Sequence, residues 1–219
     1  MTRADADRVP ARARRPWPLI AFVLVLVAGG AFAAGRFSAF DATTAPNPAD
    51  IGFARDMQVH HAQAVEMAMI EYRATDDDEL RALAYDIATA QAAQRGEMYG
   101  WLVAWGLPQA GDPLMSWMSG TGHDHGASAT ASAEELEAAM GMATAEEIDR
   151  LASLEGSARD CLFLELMIRH HAGAIEMTDA VVELGSDERV IQTARSMGQG
   201  QTAEIAAMQS IEARLGCTS

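Results

Sequence analysis

The chain repeats itself once, at a spacing of 110 residues and without a gap. Phe53, Met57, His60, His61, Glu66 and Met67 recur as Phe163, Met167, His170, His171, Glu176 and Met177. The match continues more weakly through Gln91 and Gln201, Met98 and Met208, and Gly106 and Gly216. A repeat of this length is one supersecondary unit used twice. Each copy reads as helix, short turn, helix, over 50–73 and 77–105 and again over 158–184 and 187–215. Asp residues in Thr75–Asp78 suit a helix start, while Gly185 and Ser186 read as a stop followed by a cap. A helical hairpin cannot bury its apolar stripe alone. Two of them packed face to face predict an all-α four-helix bundle with pseudo-twofold symmetry.

The repeats fall at 50–106 and 158–217, joined by a connector over 107–157. The first part of the connector is rich in Gly, Pro, Met and Ser. Its second part offers two short helices, opened by the capping-box patterns Ser132–Glu135 and Thr144–Glu147. Ahead of the repeats lie a basic segment (1–16), an apolar segment (17–35) and a linker (36–49). The run from Trp17 to Ala34 holds 18 uncharged residues behind an Arg-rich start. It reads as a transmembrane or signal anchor that leaves the repeats outside the cytoplasm, or, if cleavage falls near Ala33, as a leader that releases them.

Charge narrows the partners. The first 36 residues hold 6 of the 16 basic residues, leaving 10 against 29 acidic ones beyond them, a net charge of −19. Such a surface repels phosphate backbones and excludes nucleic acid as a partner. Two cysteines, Cys161 and Cys217, lie in the exported part. Antiparallel helices would bring the start of the third helix beside the end of the fourth, so a disulfide is expected there. Two free thiols acting as metal ligands are the alternative.

At 100° per residue, Met57, His60, His61 and Met67 share one helix face, and Met167, His170, His171 and Met177 repeat it. Gln91 and Gln94 lie level with the first histidine pair, Gln201 and Glu204 with the second. Each could hold a ring N–H and fix a histidine tautomer. Buried as plain packing, four histidines leave many ring nitrogens in need of partners, whereas a metal would satisfy them. A di-iron bundle needs a carboxylate three residues before each histidine, but Met57 and Met167 stand there. Thioether with imidazole favours copper, Cu(I) foremost, with Cu(II) tolerated. The connector adds a candidate capture cluster of Met115, Met118, His123 and His125, or else an incidental linker. A twofold axis along the bundle would bring all four histidines to one level. An axis across it would give two sites at opposite ends, and the sequence leaves both open.

The paired Met-x-x-His-His-x-x-Ala-(Val/Ile)-Glu-Met motifs, each followed by a Gln-x-x-(Gln/Glu) helix, resemble the bacterial family called domain of unknown function 305. The resemblance covers about residues 50–216 and implies a ferritin-like bundle, secreted or membrane-anchored. Some relatives are copper-binding proteins of the copper-resistance type. It points to Met57, His60, His61, Met67, Met167, His170, His171 and Met177 as ligands here. One departure is Gln94 where the second copy has Glu204.

The expected function is sequestration or delivery of copper outside the cytoplasm, with a membrane-embedded copper enzyme or transporter as a candidate recipient. The alternative is an accessory or assembly subunit of a membrane complex such as a respiratory oxidase, its histidines structural. No nucleophile–base pair, phosphate loop or cofactor fingerprint points to an enzyme.

Overall fold

In the computed structural model of the chain, the described residues are 45–118 and 132–217, together with Val27. They form six α-helices and no strand: α1 (Pro48–Ala74), α2 (Asp78–Ala104), α3 (Ala133–Ala139), α4 (Ala145–Ser153), α5 (Gly156–Leu184) and α6 (Glu188–Leu215). A single 3-10 turn spans Ser116–Met118. The four long helices lie within about two residues of their expected bounds. The segment 17–35 lies outside the described residues, Val27 apart. Among those described, no helix is long and apolar enough to cross a membrane.

Local chemistry sets the helix ends. The Asn47 side chain accepts from the Ala49 and Asp50 amides, and Asp50 accepts from the Asn47 amide, closing a capping box ahead of α1. Asp77 caps α2 through the Leu80 amide. The cap of α6 is Asp187, which accepts from the Arg189 amide, and not Ser186. Ser186 is drawn away because its hydroxyl and amide both donate to Asp50. Gly185 ends α5 at φ −68, so no left-handed turn explains it. It provides space instead: a Cβ there would stand 2.6 Å from the Val181 carbonyl oxygen and 2.7 Å from Asp50 Oδ1. Both expected capping boxes, Ser132 with Glu135 and Thr144 with Glu147, open α3 and α4.

α1 packs on α2 and α5 on α6, and the two hairpins meet along α1 and α5. These central helices run antiparallel. Asn47 at the start of α1 donates to the Leu184 carbonyl at the end of α5 (2.7 Å), and Glu71 near the end of α1 faces Asp160 near the start of α5. The pseudo-twofold axis therefore runs across the bundle. Cys161 and Cys217 form the expected disulfide, with Cα atoms 5.5 Å apart, which removes free thiols from the list of metal ligands.

The interior divides into two apolar compartments. One holds Phe53, Met57, Met98, Leu102, Met177, Val181 and Met197. The other holds Met67, Leu80, Ile87, Phe163, Met167, Met208 and Ile211. The connector completes the first. Asp56 accepts from the Met115 amide (2.7 Å) and from Trp117 Nε1–H (2.9 Å), which seats Met115 and Met118 beside Met57. Burial pushes the Asp56 carboxyl up to about 6 against these two donors. The repeat has Leu166 at the equivalent position, so only the first copy can tether the connector in this way.

Farther along, residues 140–143 cross the central helices as a strap. Gln63 grips Ala143 through both its amide and its carbonyl (2.7 and 2.8 Å). In the second repeat Gly173 replaces Gln63, and any Cβ there would collide with the Met140 carbonyl oxygen. One copy holds the strap and the other makes way for it.

Candidate metal centre

His60 and His170 sit at the middle of helices 27 and 29 residues long. Where α1 and α5 cross, mid-helix positions meet. The two rings stack with centroids 3.6 Å apart and planes inclined by 33°. His61 and His171 flank the pair, each 6.3 Å from its neighbour in sequence. All four side chains are fully buried. An axis across the bundle thus gives a single cluster, contrary to the expectation of sites at opposite ends. The reason is that the histidines lie at helix centres and not near the hairpin turns.

Every Nε2 faces an oxygen. His60 Nε2 lies 3.0 Å from the Met140 carbonyl, and His170 Nε2 lies 3.1 Å from the His60 carbonyl. His61 Nε2 lies 2.7 Å from Gln94 Oε1, and His171 Nε2 lies 2.7 Å from Glu204 Oε2. Each oxygen is an acceptor, so each neutral ring must carry its proton on Nε2 and donate it. In a neutral ring the lone pair then falls on Nδ1. None of the four Nδ1 atoms has a hydrogen-bond partner among the described residues. A buried polar atom left unpaired costs about 1–3 kcal/mol, so four related ones mark a place built for something else.

The same burial favours the neutral form of three of the rings. Loss of hydration pushes His60 down to about 4 and His61 to about 3, and it lowers His170 well below the ordinary imidazole range. The charges of neighbouring histidines add to the effect. These three rings are neutral at physiological pH, the form that a metal requires of an imidazole.

The four methionines expected beside the imidazoles are buried but divided. Met57 and Met177 lie in the first apolar compartment, and Met67 and Met167 in the second. They flank the histidine layer from both sides. Gln94 and Glu204 hold ring N–H groups as expected, each 33 residues from its histidine. Gln91 and Gln201 do not. They are buried, and neither amide has a hydrogen-bond partner among the described residues. Of the capture cluster, Met115 and Met118 are packed into the core and not displayed on a flexible tract, because Asp56 ties that segment down. His123 and His125 lie outside the described residues. Glu66 and Glu176 are exposed, off the histidine face.

Met140 escaped the sequence reading, since its contribution is a backbone carbonyl that no residue pattern encodes. The replacement of Gln63 by Gly173 within otherwise matched motifs was the available signal for the strap. Among the described residues, no three His, Cys, Asp or Glu side chains converge closely enough to cage an ion by themselves. A metal held by these imidazoles would therefore draw on thioether or exogenous ligands as well. Free, neutral, buried Nδ1 lone pairs with oxygen-anchored Nε2–H groups are the donor set that imidazole-preferring metals such as copper use. The residues present fit that metal.

The structure is similar to that of a Streptomyces coelicolor protein, named as a secreted DUF305 protein, with 42% identity and a TM-score of 0.67 over 78% of this chain and 94% of that one. A DUF305 fragment from Deinococcus radiodurans gives 29% identity and a TM-score of 0.65 over 78% and 99%. The fold is also shared with CopM, solved in a Cu(I)-bound form (22% identity, TM-score 0.55) and a Cu(II)-bound form (24%, 0.58), each over 75% of this chain and 96% of that one. No curated protein matches the chain significantly. The family model described as Domain of unknown function (DUF305) matches residues 50–212, and the chain belongs to that family.

Proposed function

We propose that this chain binds copper at the histidine layer, as a protein that sequesters or delivers the metal outside the cytoplasm. The observation that carries the reading is the set of four buried Nδ1 atoms without partners, each on a ring whose Nε2–H is already committed. A purely structural histidine would use both nitrogens or expose one to water. CopM, on the same fold, is solved with Cu(I), Cu(II) and Ag bound, which supports copper as a metal this site would take. Flanking thioethers favour Cu(I), while the imidazoles accept Cu(II). Because His60 and His170 stack across the pseudo-twofold, both repeats serve one centre. The disulfide and the apolar segment ahead of the repeats support an extracytoplasmic location.

The test is an anaerobic Cu(I) titration of the full chain against a competing chelator, beside the paired variants His60→Ala/His61→Ala and His170→Ala/His171→Ala. A shared centre predicts that either pair removes the tight binding. Wild-type protein that cannot compete with the chelator would refute the copper reading. Retention of half the tight binding in each variant would refute the shared centre.

A further inference from the structure

Beside the residues that hold His61 and His171, the outer helices α2 and α6 carry two more buried polar groups that copper coordination by imidazole does not explain. Gln91 and Gln201 are 3% and 4% exposed, and both the Nε2 and Oε1 atoms of each lack a hydrogen-bond partner among the described residues. They occupy equivalent positions of the repeat, one turn before the residues that hold His61 and His171. On α2 the buried face runs Leu80, Ala84, Ile87, Gln91, Met98, and on α6 it runs Val190, Ala194, Met197, Gln201, Met208. Each glutamine thus interrupts an apolar stripe where one compartment gives way to the other. An apolar residue at either place would continue the core without an unpaired amide. Keeping two such amides at symmetry-related points calls for a polar occupant small enough for a close-packed interior, able both to donate and to accept.

We propose that Gln91 and Gln201 each hold a water molecule in the histidine layer, and that these waters serve as the oxygen ligands completing the coordination of copper. The second half of this inference rests on the copper reading; the first half does not. Water fits because a buried amide needs both an acceptor for its two N–H donors and a donor for its oxygen, and a water molecule supplies both. It also answers the shortage of converging protein ligands at the layer. Oxygen ligands favour Cu(II) over Cu(I), so the glutamines would let the centre hold the oxidised ion as well as the reduced one. They act here as positioning residues, working through the water.

The experiment compares the full chain with a Gln91→Leu/Gln201→Leu variant, which removes both amides at similar volume and adds no metal-binding atom. In the metal-free protein, the side-chain amide protons of Gln91 and Gln201 should show magnetisation transfer from long-lived water. No such transfer would overturn the proposal whether or not copper binds. In the Cu(II)-loaded protein, pulsed electron-nuclear spectra should show strongly coupled protons that exchange in deuterated water and are absent from the variant. The variant should also lose about tenfold in Cu(II) affinity while its Cu(I) affinity holds. Exchangeable couplings that persist in the variant, or equal losses for both oxidation states, would overturn the water-ligand role. Wild-type protein that takes up no copper at all would instead overturn the copper reading, with the water transfer still deciding the first half.

Discussion

A buried imidazole resists protonation, and in the metal-free chain this makes folding sensitive to acid. His60 and His61 are held down to about 4 and about 3 by burial, against an ordinary 6.5. Groups whose pKa falls on folding stabilise the native state fully above their unfolded value. That contribution disappears as pH drops through the folded one. Metal-free protein should therefore lose stability between about pH 6.5 and pH 4, seen as a falling urea midpoint, and copper should oppose the loss. A midpoint flat across that window would contradict the burial argument. Glu204 is the residue at which the two halves of the centre differ, since Gln94 stands opposite His61 where Glu204 stands opposite His171. A carboxylate raises the basicity of the ring it holds. Glu204→Gln should weaken copper binding about tenfold without changing its stoichiometry, as read by chelator competition. The burial of the four histidines and four methionines was legible in the sequence, because their spacing places them on one helix face. The use of each ring nitrogen was not, because two of the four acceptors are backbone carbonyls.

Helix ends and crossings carry the next set of consequences. Glu71 on α1 is buried against Asp160 on α5. Burial pushes its carboxyl up to about 8, and the facing Asp160 pushes in the same direction. A carboxyl that folds protonated gives its full contribution below its ordinary value of 4.5 and loses it as pH rises through about 8. Glu71 should thus cost stability as pH rises from about 4.5 to about 8, and Glu71→Gln should remove that downward contribution. A stability profile unchanged over this window in the variant would contradict this placement. At the strap, Gly173→Ala should destabilise the fold by about 1–3 kcal/mol, because the added Cβ meets the Met140 carbonyl that also accepts from His60. Thermal melting checks this. The same change at Gly96, whose Cβ would meet nothing, is the control. Helix bounds were readable to within about two residues because caps and periodicity coincide there. The cap at Asp187 was misread as Ser186, since the sequence cannot show that Asp50, far away in the chain, claims that serine.

At the scale of the whole molecule, a tandem repeat with an axis across the bundle brings both histidine pairs into one cluster. The hairpins, their disulfide and their apolar faces follow from the sequence. The direction of the axis does not, because a connector of this length allows either. Antiparallel packing of α1 on α5 decides it, and the mid-helix position of the histidines turns that packing into a single cluster. The central claim is that the Nε2 atoms of the cluster are protonated and committed, leaving the unpartnered Nδ1 atoms as the side open to metal. Nitrogen-15 NMR of the imidazole rings tests it most directly, first without metal and then during titration with diamagnetic Cu(I). The account predicts rings that carry a proton on Nε2, with Nδ1 resonances in the cluster that move on metal addition while the Nε2–H signals persist. Rings protonated on Nδ1, or Nδ1 resonances that ignore the metal, would contradict it.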